Sequence, residues 1–216
     1  MIQSDHIPDI FIKEARSLYL SAQRSHDWEH IERVYRLTVR IAPLEKADLE
    51  IVGIAALLHD VKRPQEDSSQ GTICHAEQGA LFALSFLKHR GMAQQKAERI
   101  AECIRSHRYR SKYLPTTTEA KVLFDADKLD SLGAVGIARA FHFAGQINAR
   151  VHSPLVDIDT SEPYGKNDTA YREFLVKLTH IRKRLYTQEA QRLATERHHF
   201  MVNFFSQLNE EVEGCR

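Results

Sequence analysis

Glycine and proline are scarce, at nine and six in 216 residues. A many-stranded sandwich or barrel needs a cluster of turn residues roughly every ten positions, so that class is excluded. Long stretches rich in Ala, Leu, Glu, Arg and Lys predict a mostly helical chain instead. Cysteine is nearly absent as well: Cys74, Cys103 and Cys215 are odd in number, widely spaced and without a C-x-x-C pair. This excludes a thiolate zinc site or a redox motif, and predicts reduced thiols in a cytoplasmic protein. Neither sign of charge is in excess. Thirty Lys plus Arg against twenty-nine Asp plus Glu leave +1, so no global field exists to hold a phosphate backbone, and no stable nucleic-acid complex is expected. No apolar run approaches the roughly 20 residues that span a bilayer, and MIQSDHIPDIFIKEA has neither a basic nor an apolar leader region. A soluble, untargeted chain with no membrane partner is expected.

What is present is a chain 43% hydrophobic and 27% charged, ample for a proper core. No internal repeat or low-complexity linker divides it, so one domain over residues 1–216 is expected, with its core at about 26–130 and closing helices at about 131–213. Ile10, Phe11, Ala15, Leu18 and Ala22 give an amphipathic helix over about 9–24. A second runs from about Asp27 until Pro43 stops it, with His30, Val34, Leu37 and Ile41 on one stripe. Asp48 is placed to cap a third helix, LEIVGIAALLHDV, apolar nearly all round as a buried helix is. Lys62–Ile73 reads as a loop, on Pro64, Gly71 and a polar cluster. Helices are then expected over 75–90, closed by Gly91, and over 93–105. After a basic connection at 106–118 they resume over 120–130 and 132–148, although KVLFDAD fits a short strand almost as well. Val151–Asp168 is a long loop, either exposed or a lid. Two helices close the chain, over 168–186 and 187–213, with Phe200, Phe204 and Leu208 in register on the last; that stripe offers a surface for a homo-oligomer if it is not buried.

The chemistry lies where imidazoles and carboxylates fall on apolar helices. His59 and Asp60 end a helix that must be buried, and a buried carboxylate without a partner is too costly to keep ionised. Neighbouring helix residues point about 100° apart, so the pair converges on one object only off the helix end, where a divalent cation fits. His30 faces the core from the apolar stripe of its own helix. In F-D-A-D-K-L-D, Asp125, Asp127 and Asp130 stand close together, with Asp127 and Asp130 on one helical face. His30, His59, Asp60 and Asp127 make a mixed N/O set suited to Mn, Mg, Fe, Ni, Co or Zn, with nothing in the residues choosing among them. His26-Asp27 is also an H-D pair, but at a helix start, where Asp27 serves as a cap.

An isolated His opening H-I-E-R-V, the H-D pair closing AALLHDV, and the later Asp of DADKLDSLGAVGIAR together resemble the HD-domain phosphohydrolase superfamily. The likeness is greatest to its small bacterial single-domain branch, which includes nucleotide pyrophosphohydrolases, and it extends to the T-Q-E-A-Q-R-L-A-T-E-R-H-H-F-M helix near the C-terminus. The resemblance implies an all-α bundle around a metal centre. It implies His30, His59, Asp60 and Asp127 as metal ligands, and hydrolysis of a phosphate ester or anhydride, with a small phosphorylated substrate, a nucleotide above all. Relatives with two metals carry further histidines between the pair and the last Asp, where this chain has His75 and His107. Other relatives carry Lys three residues after the Asp of the pair. Arg63 stands there, beside Lys62; a guanidinium can clamp phosphate but is a poor proton donor.

The expected mechanism is metal-assisted hydrolysis, with Asp60, Arg63 and Lys62 as catalytic groups and Arg33, Lys128, His107 and Arg108 as substrate contacts. Glu66, Asp67 and Glu77 are the candidates for general base. Two other functions stay open on the same residues: a di-iron oxygenase, which needs both His75 and His107, and a non-catalytic nucleotide sensor. The sensor would use R-S-H-R-Y-R-S-K-Y, whose Tyr109 and Tyr113 can stack on a base.

Overall fold

A computed structural model describes residues 2, 6–19, 28–69, 71–109, 112–155 and 162–216. The described residues are helical wherever they form regular structure, with no strand among them, and the chain divides into two compact units. The first comprises Met1–Asp127 and Tyr186–Ala190; the second comprises Lys128–Leu185 and Gln191–Arg216.

In the first unit the helices are α1 (Asp9–Ser17), α2 (Trp28–Ile41), α3 (Leu49–Leu58), α4 (Arg63–Ser68), α5 (His75–His89), α6 (Gln94–Ser106) and α7 (Thr118–Leu129), the last two residues of α7 being counted with the second unit. α3 packs on both α2 and α6, and α5 packs on α6. Position explains composition here: every residue from Ile51 to Leu58 is buried, so α3 has no polar face to present to water. Its start is fixed by Asp48, whose Oδ1 accepts the backbone N–H groups of Glu50 and Ile51 at 3.1 and 3.2 Å, satisfying two donors that the first turn leaves without partners. α5 stops at Gly91, which takes φ +77°. There the N–H groups of Gly91 and Met92 return to the carbonyls of Lys88 and Leu87, a closure that a side chain on Gly91 would strain.

The segment read as a loop over 62–73 contains α4. Pro64 sits in its first turn, where the missing N–H has no helical partner to lose, so the proline that signalled a loop marks a helix start. The strand alternative at KVLFDAD is likewise replaced by α7. α1 buries Ala15 of the expected stripe together with Ile12, while Ile10 is 70% exposed, so the inward face takes in Ile12 in place of Ile10. Residues 20–24 of that expected helix, and the His26-Asp27 cap, lie outside the described residues.

In the second unit α8 (Gly133–Gln146) is followed by the described parts of the long loop, of which 156–161 lie outside. The single helix expected over 168–186 is a succession of short pieces. α9 (Ala170–Glu173) gives way to a π turn at Phe174–Leu178, then to α10 (Thr179–Ile181) and a 3-10 turn at Arg182–Arg184. Phe174, Leu178 and Ile181 are all buried, and their i, i+4, i+7 spacing keeps one face inward through these pieces. α11 (Gln188–Val212) closes the chain. Its buried side chains include Met201 and Phe205, whereas Phe200 is 50% exposed; the inward stripe lies beside the Phe200–Phe204–Leu208 row. Phe205 stacks on Phe174 with centroids 4.6 Å apart. Cys74, Cys103 and Cys215 are free thiols, and no described helix is long and apolar enough to cross a membrane.

Candidate metal centre

All the groups that converge belong to the first unit. α2 presents His30 from its buried face. His59 and Asp60 follow the last residue of α3, off the helix end, as their chemistry requires. His75 opens α5, His107 follows α6, and Asp127 comes from α7. His30, His59, Asp60, His75 and His107 are at most 2% exposed and Asp127 is 9% exposed.

Asp60 is the centre of the arrangement. Its Oδ2 lies 3.6 Å from His30 Nε2 and 3.7 Å from His59 Nε2. Its Oδ1 lies 3.3 Å from His75 Nε2 and 3.4 Å from His107 Nε2. His30 Nε2 is also 3.5 Å from Asp127 Oδ1. One carboxylate thus faces two pairs of imidazoles, one pair on each oxygen.

The far nitrogens fix which atoms point inward. His59 Nδ1–H donates to the carbonyl of Ala56 at 2.8 Å, and His107 Nδ1–H to that of Ile104 at 2.6 Å. His75 Nδ1–H donates to Glu66 Oε2 at 2.7 Å. Burial first of all pushes the imidazole of His59 down to about 3 and that of His75 down to about 4, so both rings are neutral. With the one proton on Nδ1, each turns a lone pair inward from Nε2. His59 Nε2 stands 3.3 Å from His30 Nε2, and His75 Nε2 stands 3.2 Å from His107 Nε2. Lone pairs and carboxylate oxygens crowded together without protons repel, and a cation relieves them. The donor set therefore fits a divalent metal. Three overlapping groups have their donor atoms within 4.8 Å of one another: His30, His59 and Asp60; His59, His107 and Asp127; and Asp60, His75 and His107. Nitrogen and oxygen donors of this kind take any of several first-row ions.

The remaining expected residues are placed as follows. Arg63 bonds Asp67 Oδ1 through Nε at 3.3 Å and lies 3.9 Å from Glu66. Burial would lower its pKa, but Asp60, Asp67 and Glu66 outweigh burial and raise it. Lys62 Nζ lies over the Phe82 ring, 4.6 Å from its centroid. Arg108 Nη2 donates to Glu66 Oε1 at 2.9 Å. Arg33 is half-buried one turn beyond His30, and Lys128 belongs to the second unit. Of the base candidates, Glu77 is 3.6 Å from Lys112 and Asp67 is held by Arg63, while Glu66 is buried against His75. That last partnership is absent from the sequence reading. Its only trace there is an acidic residue in a stretch too short and polar to register as a helix.

The other acids of F-D-A-D-K-L-D have separate partners. Asp125 accepts the backbone N–H groups of Tyr186 and Thr187 and the Thr187 hydroxyl. Asp130 pairs with Arg139 at 2.7 Å.

Comparison with known proteins agrees with this geometry. The HD domain family model matches residues 27–132, which contain all six converging side chains. YpgQ of Bacillus subtilis (strain 168) is 37% identical over 206 residues, covering 92% of this chain and 90% of YpgQ. The crystal structure of B. subtilis YpgQ in complex with ADP superposes with a TM-score of 0.71 at 35% identity, over 95% of this chain and 100% of that one. A predicted HD superfamily hydrolase from an uncultured Thermotogales bacterium gives a TM-score of 0.66 at 30% identity, over 94% of this chain and 91% of its own. With its six inward-facing imidazoles and carboxylates inside the matched region, the chain belongs to the HD domain family and carries the fold of HD-superfamily hydrolases.

Proposed function

We propose that this protein is a metal-dependent phosphohydrolase that cleaves a phosphate ester or anhydride of a nucleotide. The observation that carries the reading is Asp60, buried with one oxygen toward His30 and His59 and the other toward His75 and His107. In this reading His30, His59, Asp60 and Asp127 hold one divalent ion, and Asp60, His75 and His107 a second. A divalent ion so held supplies Lewis acidity, polarising a phosphoryl oxygen and bringing the pKa of water toward neutrality. The protein's own part is to keep the donor atoms bare and oriented through the Nδ1 hydrogen bonds of His59, His75 and His107. Asp60 also orients the attacking water. Arg63, Lys62 and Arg33 bring positive charge to a loose phosphoryl-transfer transition state, whose main demand is charge neutralisation. The nucleotide is supported by the ADP complex of YpgQ, a relative aligned over nearly the full chain.

A second reading, a di-iron oxygenase on the same fold, is favoured by the approach of both His75 and His107 to Asp60 Oδ1. Turnover in the absence of oxygen removes it. The deciding experiment is a screen of nucleoside mono-, di- and triphosphates with Mn, Mg, Co, Ni, Fe and Zn, reading phosphate against pyrophosphate release. Turnover with at least one pair is expected. Asp60→Ala is expected to lose bound metal and turnover together, because it removes the carboxylate that faces both pairs of rings. Full turnover by metal-stripped protein would overturn the proposal, and nucleotide binding without turnover would assign a sensor instead.

A further inference from the structure

We infer that Glu66 is a positioning residue for the metal centre: it fixes the orientation and donor strength of His75, is itself held by Arg108, and so governs the second cation position separately from the first. This rests on the metal-centre reading above and names a part within it.

Three histidines in the cluster have their Nδ1 partner defined, and the partners differ in kind. His59 and His107 donate to neutral backbone carbonyls, of Ala56 and Ile104. His75 donates to a carboxylate, at 2.7 Å. An anionic acceptor behind an imidazole draws the Nδ1 proton toward itself and leaves Nε2 the stronger donor. Glu66 Oε2 also accepts the backbone N–H of His75 at 2.9 Å. One oxygen therefore grips both the ring and the main chain at the first residue of α5, leaving the ring little freedom to turn away from Asp60.

Glu66 is 6% exposed, and a carboxylate so buried needs its own support. Arg108 Nη2 supplies it at 2.9 Å on Oε1, with Arg63 3.9 Å from the same oxygen. The chain Arg108–Glu66–His75 ends on the Oδ1 side of Asp60, where His75 Nε2 is 3.3 Å away. Among the described residues the Glu66 carboxylate is partnered by His75, Arg108 and Arg63 and not by His30 or His59, which stand on the Oδ2 side. A general base must reach water beside the substrate, and an oxygen pair committed to His75 and Arg108 is poorly disposed for that.

The test titrates metal-free protein with Mn2+ by calorimetry, counting bound equivalents by elemental analysis. Glu66→Gln keeps the size and one acceptor oxygen but removes the charge. In this variant one equivalent should weaken about 10–100-fold, the usual cost of losing the partner behind a ligating histidine, while the other stays within about threefold. Arg108→Gln, a change at a half-buried side chain, should weaken the same equivalent by a smaller factor, and it decides alone if Glu66→Gln does not fold. Unchanged titrations in the folded variants overturn the inference, as does equal weakening of both equivalents, which is what general loosening of the fold would give. Since the readout is metal uptake, it stands apart from the hydrolase assignment. A protein that never turns over a nucleotide can still pass, and an active hydrolase can still fail.

Discussion

Three aspartates stand within Asp125–Asp130, and the structure gives each a different partner. Asp127 turns to His30, Asp130 to Arg139, and Asp125 to the backbone ahead of α11. The sequence shows that carboxylates are crowded there but not how they divide. At about 100° per residue Asp127 and Asp130 share a face only while the helix continues, and α7 ends at Leu129. His30, His59, Asp60 and Asp127 were legible because each sits on or beside an apolar surface, where an ionisable group needs an explanation. Asp125 had the same signal and a structural explanation: it accepts from Tyr186 N–H, Thr187 N–H and the Thr187 hydroxyl at 3.0, 2.7 and 2.7 Å. Asp125→Ala would leave those donors without an acceptor, two of them on backbone that must enter a helix. A loss of about 2–4 kcal/mol is expected, read as a lower urea midpoint. Asp125→Asn, which keeps one acceptor oxygen, should lose less. Equal midpoints for wild type and Asp125→Ala would show that the capping bonds contribute nothing net.

At the scale of elements, the legible helices were those with a clean apolar repeat and a clear stop. α2 and α5 are examples, closed before Pro43 and at Gly91. α4 was not legible, because its six residues carry no repeat and its proline is equally a loop signal; it is held by the contacts of Glu66. The broken segment from Ala170 to Arg184 was not legible either, since a π turn leaves no mark on composition. α8 carries a sharper test of how packing limits sequence. A Cβ on Gly136 would lie 2.2 Å from the Ser131 carbonyl oxygen and 2.5 Å from its carbon. Backbone atoms there cannot swing aside as a side-chain tip can, so Gly136→Ala should cost about 3 kcal/mol. Gly145, in the same helix, has nothing within 4 Å of the added atom and is exposed. Gly145→Ala should raise stability by about 0.5–1 kcal/mol through helix propensity. Thermal melts of the two variants should therefore move in opposite directions; a shared rise would mean that Ser131 gives way, and a shared fall that helix propensity contributes nothing at Gly145.

At the scale of the whole molecule, the centre gathers side chains from positions as far apart in sequence as His30 and Asp127, carried by α2, α5 and α7 and by the turns after α3 and α6. No unfolded chain holds them together, so an ion binds the folded protein alone and its binding free energy adds to folding. Without the ion, burial of bare imidazole and carboxylate donors at 3.2–3.7 Å from one another is a standing cost. Metal at about a hundred times its dissociation constant adds about 2.7 kcal/mol. For a chain of this size that is a rise of roughly 5–10 °C in the melting temperature of the unit holding the centre. Adding a chelator should lower that transition by a similar amount, and excess Mn2+ should restore it. Asp60→Ala, which removes the group facing both pairs of rings, should melt at one temperature in chelator and in Mn2+ alike. A wild-type transition equally indifferent to chelator and to metal would mean that the converging side chains stabilise the fold through one another and not through an ion.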